Sequence, residues 1–338
     1  MKNLRSYIKD YINENYLYES VWDINESVWD INESVWDIEN NIEDNNNEFV
    51  VGEIKKFIED NYELIKINRC EIAFNEEKNK YIVNYPGSIK TKKTIKTLTD
   101  DLFEWGEVRG SFYCGTCPDL TSLKGAPKTV MLDFYCQGCP ITSLEGAPKE
   151  VGGVFSCSGC KNLESLEGSP EKVGMGFACF SCVELKSLKG APETVGKKFD
   201  CSYCHKLESL EGAPKKVMGD FDCRSCGELK SLEGSPKTVK GTFNCSFNEK
   251  LTTIQSAPKR VGKNFDCTFC PITSLEGAPE KVGKNFICAH CNKLVTLEGA
   301  PKKVGGDFDC RYCLNLTSYQ YKPEEIKGNF QYTVVNHT

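Results

Sequence analysis

One phrase, F-x-C-x-x-C-x-x-L-x-S-L-x-G-A-P-x-x-V-x-x-x, is written ten times between Phe112 and Phe330. Its copies begin at Phe112, Phe134, Phe155, Phe177, Phe199, Phe221, Phe243, Phe265, Phe286 and Phe308, in steps of 22 residues and twice 21. No other feature constrains the fold as much. A unit this short cannot bury a core alone, whereas a stack of such units buries a continuous one. The expected fold class is α+β, with a β-solenoid of parallel strands forming most of the chain.

The phrase can be solved as geometry. In F-x-C the two named residues alternate, so both face inward from a short strand. The second Cys sits at the bend that follows. Leu120 and Leu123 are the next inward anchors in the first coil. Gly-Ala-Pro forces another turn, because Gly permits φ > 0 and Pro fixes its own φ. Val130 returns the chain to the core. Strands of adjacent coils lie roughly 4.8 Å apart, so ten of them span on the order of 45–50 Å.

This pattern resembles the leucine-rich repeat, L-x-x-L-x-L-x-x-N/C-x-L. Phe takes the second leucine place, the first Cys the third, and the second Cys the N/C place. In the two 21-residue copies the match continues through Cys139-Pro-Ile141 and Cys270-Pro-Ile272. The run T-S-L-x-G-A-P-x-x-V is similar to the short repeats of bacterial secreted effectors. The whole chain also resembles gut-bacteriophage proteins built from SLEGAPKKVGG repeats. These likenesses imply a leucine-rich-repeat-like solenoid with a concave binding face, and a phage source.

Nine coils carry C-x-x-C, a spacing that suits zinc when two pairs complete a tetrahedron. Cys114, Cys117, Cys136 and Cys139 would form the first such set. Disulfides are another use. The reading preferred is a buried ladder, since Cys is a small and readily buried residue. The seventh coil argues for it: there the pair is Cys245 and Asn248, and Asn is a poor substitute for a zinc thiolate. In the ladder place Asn is expected to bond the turn backbone of its own and the next coil. Cys201-Ser-Tyr-Cys204-His205 matches a haem-attachment string, but His205 occupies a variable position. No cofactor is expected.

Before the coils, residues 1–47 read as an acidic helical arm. Leu4, Tyr7, Ile8, Tyr11 and Ile12 have helical spacing. ESVWDIN at 19–25 and 26–32, then ESVWDIE at 33–39, place Val and Ile at heptad a and d positions, with Trp22, Trp29 and Trp36 beside them. The triplet is either a helix able to self-associate through residues 19–39 or an array of short binding motifs. Residues 48–94 read as a second helix (Val50, Ile54, Phe57, Ile58, capped by Asn46 or Asn47) and a hairpin, Cys70–Phe74 with Lys80–Tyr85. Residues 95–111 read as a degenerate first coil, 112–329 as the ten repeats and 330–338 as a C-terminal cap.

Residues 1–48 hold 12 acids and 3 bases, a charge of −9, so a chain of net charge −6 leaves +3 elsewhere. That balance argues against a nucleic-acid partner. No stretch suits a membrane span or signal peptide, and 20 cysteines suit a reducing compartment, so a cytoplasmic location is expected, that of the host if the chain is phage-encoded.

Function is expected where the coils vary. One stripe, between Phe and the first Cys, includes Asp200, Asp222, Asp266 and Asp309. Another, two residues after that Cys, includes Tyr203, Phe247, Phe269, His290 and Tyr312. Between them stand Arg224 and Arg311. Exposed rings beside Arg are what interface anchors look like, and an acid row would suit a protein partner with a basic surface. The leading reading is a non-enzymatic protein-binding solenoid. The alternatives are a metal-binding or redox array and a structural, virion-associated protein attached through its arm. The three His fall in no catalytic motif, and the eight residues after Phe330 leave no room for the ligase domain of some effector repeats.

Overall fold

The computed structural model describes residues 45–333 of the chain, in two units. The amphipathic segment at Leu4–Ile12 and the ESVWDIN triplet lie outside the described residues. The first unit contributes one helix, α1 (Asn45–Asn61), which begins earlier than expected, so that Asn46 and Asn47, the expected caps, lie within it. Ile54 and Ile58 are its buried residues, four apart on one face.

The second unit is a parallel β-solenoid of about 11 turns. Its entry is antiparallel: β1 (Tyr62–Glu63) pairs with β4 (Ile89–Thr91), and β2 (Glu71–Asn75) with β3 (Lys80–Tyr85). The hairpin is the one expected, displaced by one residue. From there every pairing is parallel. β5 (Phe103–Val108) adds to β3, β6 (Phe112–Tyr113) to β4, and β7 (Thr129–Val130) to β5.

Each coil contributes two strands rather than one. The Phe dipeptides build one 13-stranded sheet and the Val dipeptides a second. Val therefore does more than return the chain to the core. It pairs with the Val of the next coil, as Val195 does with Val217. The first coil also begins earlier than residue 95: Ile89 pairs with Phe112 in the Phe place, and Val108 with Val130 in the Val place.

Register sets like on like. Phe112 through Phe330 form one continuous stack of rings, with centroids 5.1–5.7 Å apart and planes within 27° of parallel. Offset stacking of this kind is worth about 0.5–1.5 kcal/mol per pair beyond burial. Tyrosines close both ends edge-on: Tyr62 on Phe112 at 6.2 Å and Tyr319 on Phe330 at 5.6 Å. The Gly of Gly-Ala-Pro has φ near +86°, and a Cβ on Gly146 would stand 2.6 Å from the Lys124 backbone nitrogen. Conformation and coil contact both favour glycine there, although in the seventh coil Ser256 takes the same place at φ +69°.

The two cysteine columns are buried, and their nineteen thiols form no disulfide. The first Cys points its sulfur along the stack to the following coil, as Cys136 does to the Ser156 carbonyl at 3.4 Å. The second Cys does more. Cys160 Sγ donates to the Cys136 carbonyl of the preceding coil at 3.3 Å and receives the N–H of Cys139. Asn248 repeats both contacts in its own coil. Its Nδ2 donates to the Cys223 carbonyl at 3.1 Å, and its Oδ1 accepts from Cys226 N at 2.7 Å. It also donates to its own Cys245 carbonyl at 2.8 Å. The expected Asn role holds, but the neighbour it bonds is the preceding coil. Burial pushes core thiols such as Cys223 and Cys245 well above the ordinary thiol range, so they keep the proton they donate.

Charged columns run down the surface on either side of the first Leu column. Lys186 pairs with Glu164 at 2.8 Å and Lys230 with Glu208 at 3.0 Å. In the adjoining column Lys206 pairs with Glu184 at 2.5 Å and Lys250 with Glu228 at 2.6 Å.

The thiol–amide equivalence makes a prediction. Cys160→Asn keeps a donor and an acceptor in the ladder and is expected to stay within about 1 kcal/mol of the parent. Cys160→Val strips both partners in a buried turn and is expected to lose about 2–6 kcal/mol, at ~1–3 for each of the two orphaned groups. Urea unfolding of the two variants compares them directly. Equal losses would rule out the hydrogen-bonding role.

Candidate interaction surface

The residues singled out in the sequence fall into two classes once placed. The bend after the first Cys puts one residue of every coil in the left-handed region. These are Thr116, Gly138, Gly159, Ser181, Tyr203, Ser225, Phe247, Phe269, His290 and Tyr312, with φ between 56° and 69°. They are the second variable stripe. Only Gly138 and Gly159 suit that conformation; for other L-residues it costs on the order of 1–2 kcal/mol.

From the seventh coil on, the occupants of this strained position are all rings. Phe247 stacks on Phe269 at 5.0 Å, Phe269 on His290 at 4.3 Å and His290 on Tyr312 at 4.5 Å. Phe247, Phe269 and Tyr312 are 50%, 44% and 49% exposed. The column is therefore both a self-shielding stack and an open surface. Beside it the neighbouring stripe is small in coils seven to nine, at Ser246, Thr268 and Ala289. Arg224 and Arg311 flank that stretch, one coil before and one after. Arg224 leans over Tyr203 at 5.8 Å from the ring centre. Its Nε is buried without a hydrogen bond, 3.7 Å from Asp222.

The acid row behaves differently from expectation. Asp200, Asp222 and Asp309 are buried, and Asp266 is half-buried. Each carboxylate folds back onto its own turn and accepts an N–H two residues on: Ser202 at 3.1 Å, Arg224 at 3.3 Å, Thr268 at 2.9 Å and Arg311 at 3.0 Å. This is an Asx turn. Asn244 makes the same bond to Ser246 N at 3.0 Å, so the row is a column of turn acceptors in which charge is incidental. Lys198 further bridges Asp200 and Asp222 at 2.7 and 3.4 Å. Arg311 grips Asp309 through Nε and a terminal nitrogen at 2.9 and 2.7 Å. The carboxylates are thus engaged within the coil, which removes the argument for a basic partner.

Among the described residues, no three His, Cys, Asp or Glu side chains converge so as to hold a metal ion. Cys114, Cys117, Cys136 and Cys139 belong instead to the two buried columns, with Cys139 Sγ on the Cys114 carbonyl at 3.1 Å. Cys117 begins the ladder against Thr91, whose Oγ1 lies 3.3 Å away. The haem-like string is divided by the wall of the coil: Cys201 and Cys204 are buried and His205 is exposed. Trp22, Trp29 and Trp36 lie outside the described residues, and no helix among the described residues is long and apolar enough to cross a membrane.

Asp222 tests the turn reading through pH. Burial, then the charge of Asp200, pushes its carboxyl above the usual range, against the pull of Lys198 and Arg224. A carboxyl raised in the fold disfavours the folded state where it is ionised, and that penalty disappears below the unfolded value of about 3.9. Asp222→Asn keeps the turn acceptor and loses the charge. It is expected to be at least as stable as the parent at pH 7, with an advantage that shrinks as pH falls toward about 4. Denaturant midpoints at the two pH values give the readout, and a variant clearly less stable at pH 7 would contradict it.

No protein-family model matches the chain, and no curated protein or solved structure is significantly similar to it.

Proposed function

We propose that this chain is a non-enzymatic protein-interaction module whose working surface is the aromatic column of coils seven to ten, extended by Tyr203 and Arg224. One observation carries the reading. Large rings occupy a left-handed backbone position that Gly138 and Gly159 fill without strain in earlier coils, and those rings stay half exposed. Strain held at a surface without a folding need is where function concentrates. Stacking offsets part of it, but stacking alone does not require four consecutive rings to face solvent. Half-buried aromatics beside an incompletely bonded Arg have the composition of interface anchors.

A repeat solenoid suits this role because neighbouring coils present one residue each at fixed spacing. We also propose that the solenoid is a leucine-rich-repeat relative, phage-encoded and cytoplasmic. The Cys/Asn ladder supports the first, the SLEGAPKKVGG wording the second, and nineteen column thiols without a disulfide the third.

The test replaces Tyr203, Phe247, Phe269 and Tyr312 together by Asn, a residue that tolerates the left-handed region. Circular dichroism is expected to be unchanged, while proteins recovered with the full chain from host lysate are expected to be lost. Recovery of the same proteins by the folded variant would overturn the reading.

A further inference from the structure

The column Phe247–Phe269–His290–Tyr312 has a pitch, and pitch restricts what can lie along it. Its four rings climb in steps of 5.0, 4.3 and 4.5 Å. An extended peptide presents same-face side chains every ~6.7 Å, so over three steps it falls out of step by about 6 Å. A helix repeats a face every ~5.4 Å and drifts by about 2 Å over the same length. Only another parallel stack, with strands ~4.8 Å apart, keeps step with every rung.

We propose that the occupant of this surface is a second copy of the chain, packed column against column about a two-fold axis. The inference rests on the reading of the column as an interaction surface. The rings stack face to face within one copy, so they offer their edges outward. Two such combs of edges interdigitate at a half-step, the dry packing by which stacked β-strands zip together. The axis passes between Phe269 and His290 and makes the arrangement self-complementary, as a two-fold contact requires. It also sets Arg311 of one copy beside the Phe247 end of the other, away from the other Arg311. The charge nearest that end is already neutralised, since Arg311 is held by both oxygens of Asp309. Beside the column stand only the small side chains of Thr268, half-buried, and Ala289, buried, so no long side chain projects there against the second copy's rings.

Area sets the strength. A large aromatic side chain offers ~150–250 Å², so three half-exposed rings with the less exposed His290 contribute about 350 Å² per copy and ~700 Å² in all. Stable interfaces bury about 1,200–2,000 Å². The pairing is therefore weak, and forms at tens to hundreds of micromolar chain rather than at nanomolar concentration.

Sedimentation velocity of the full chain from micromolar to several hundred micromolar tests this. The expected result is a concentration-dependent dimer, weakened at least tenfold by Phe269→Asn with Tyr312→Asn. Asn suits the left-handed backbone, so the variant folds. Phe269→Tyr, which keeps the ring, is expected to pair like the parent. A parent that stays monomeric, or a dimer undiminished in the double variant, overturns the proposal; the second outcome places any contact elsewhere, as on residues 19–39. If the parent is monomeric but the fourfold Asn variant loses its lysate partners, only self-pairing falls. If it is monomeric and recovery is also unchanged, the interaction surface falls with it.

Discussion

Everything in this solenoid depends on how a buried bend is hydrogen-bonded. Each coil gives only two residues to each sheet, so most of its backbone lies in turns. The bend between the two cysteine places carries a carbonyl and an N–H into the core, where an unpaired group costs about 1–3 kcal/mol. The second Cys, or Asn248, reaches back and serves the bend of the coil before it. A thiol is small enough to fit there and can both donate and accept, though weakly, and at Cys226 burial raises it above the ordinary thiol range. The aromatic spine and the Val sheet add stability to a stack whose bends have already been satisfied.

The same bend explains why the outer surface is strained. Satisfying the ladder fixes a left-handed residue between the two cysteine places in every coil. Glycine there is silent. A ring there is held at a fixed angle with few rotamers left, so contact with a partner orders little that was free. The structural need and the functional opportunity therefore arise at one backbone position, separated only by which side chain fills it.

Much of this was legible in the letters, and the limits follow from particular residues. Asn248 among cysteines exposed the ladder, because one exchange reveals the bond that both residues make. The hairpin before the coils was legible from its alternation. The Val strand was not, because two residues are too few to show a period. The first coil was placed late because Ile89 and Thr91 stand where Phe and Cys should be. The Asp column was misjudged for a local reason. Alternation in F-x-C aims it outward, but an Asp side chain followed by a turn bends back to the N–H two residues on. Asn244 in that column was the available signal, just as Asn248 was in the ladder. The left-handed position was likewise hinted at by Gly138 and Gly159, and obscured by the rings of later coils.

Nearly identical coils face a hazard that unique folds do not. If one coil looped out, the next could dock on the wrong neighbour with Phe on Phe, Val on Val and thiol beneath carbonyl, and the core would not detect the error. The surface columns would. Glu164, Lys186, Glu208 and Lys230 alternate in sign from coil to coil, as do Glu184, Lys206, Glu228 and Lys250 in the column beside them. Omitting the fifth coil sets Lys186 on Lys230 and Glu184 on Glu228 together, and omitting the fourth or the sixth sets Glu164 on Glu208 or Lys206 on Lys250; like charges directly opposed are unfavourable. The exposed pairs contribute little to holding the stack together, but their alternation acts as a parity check on its assembly.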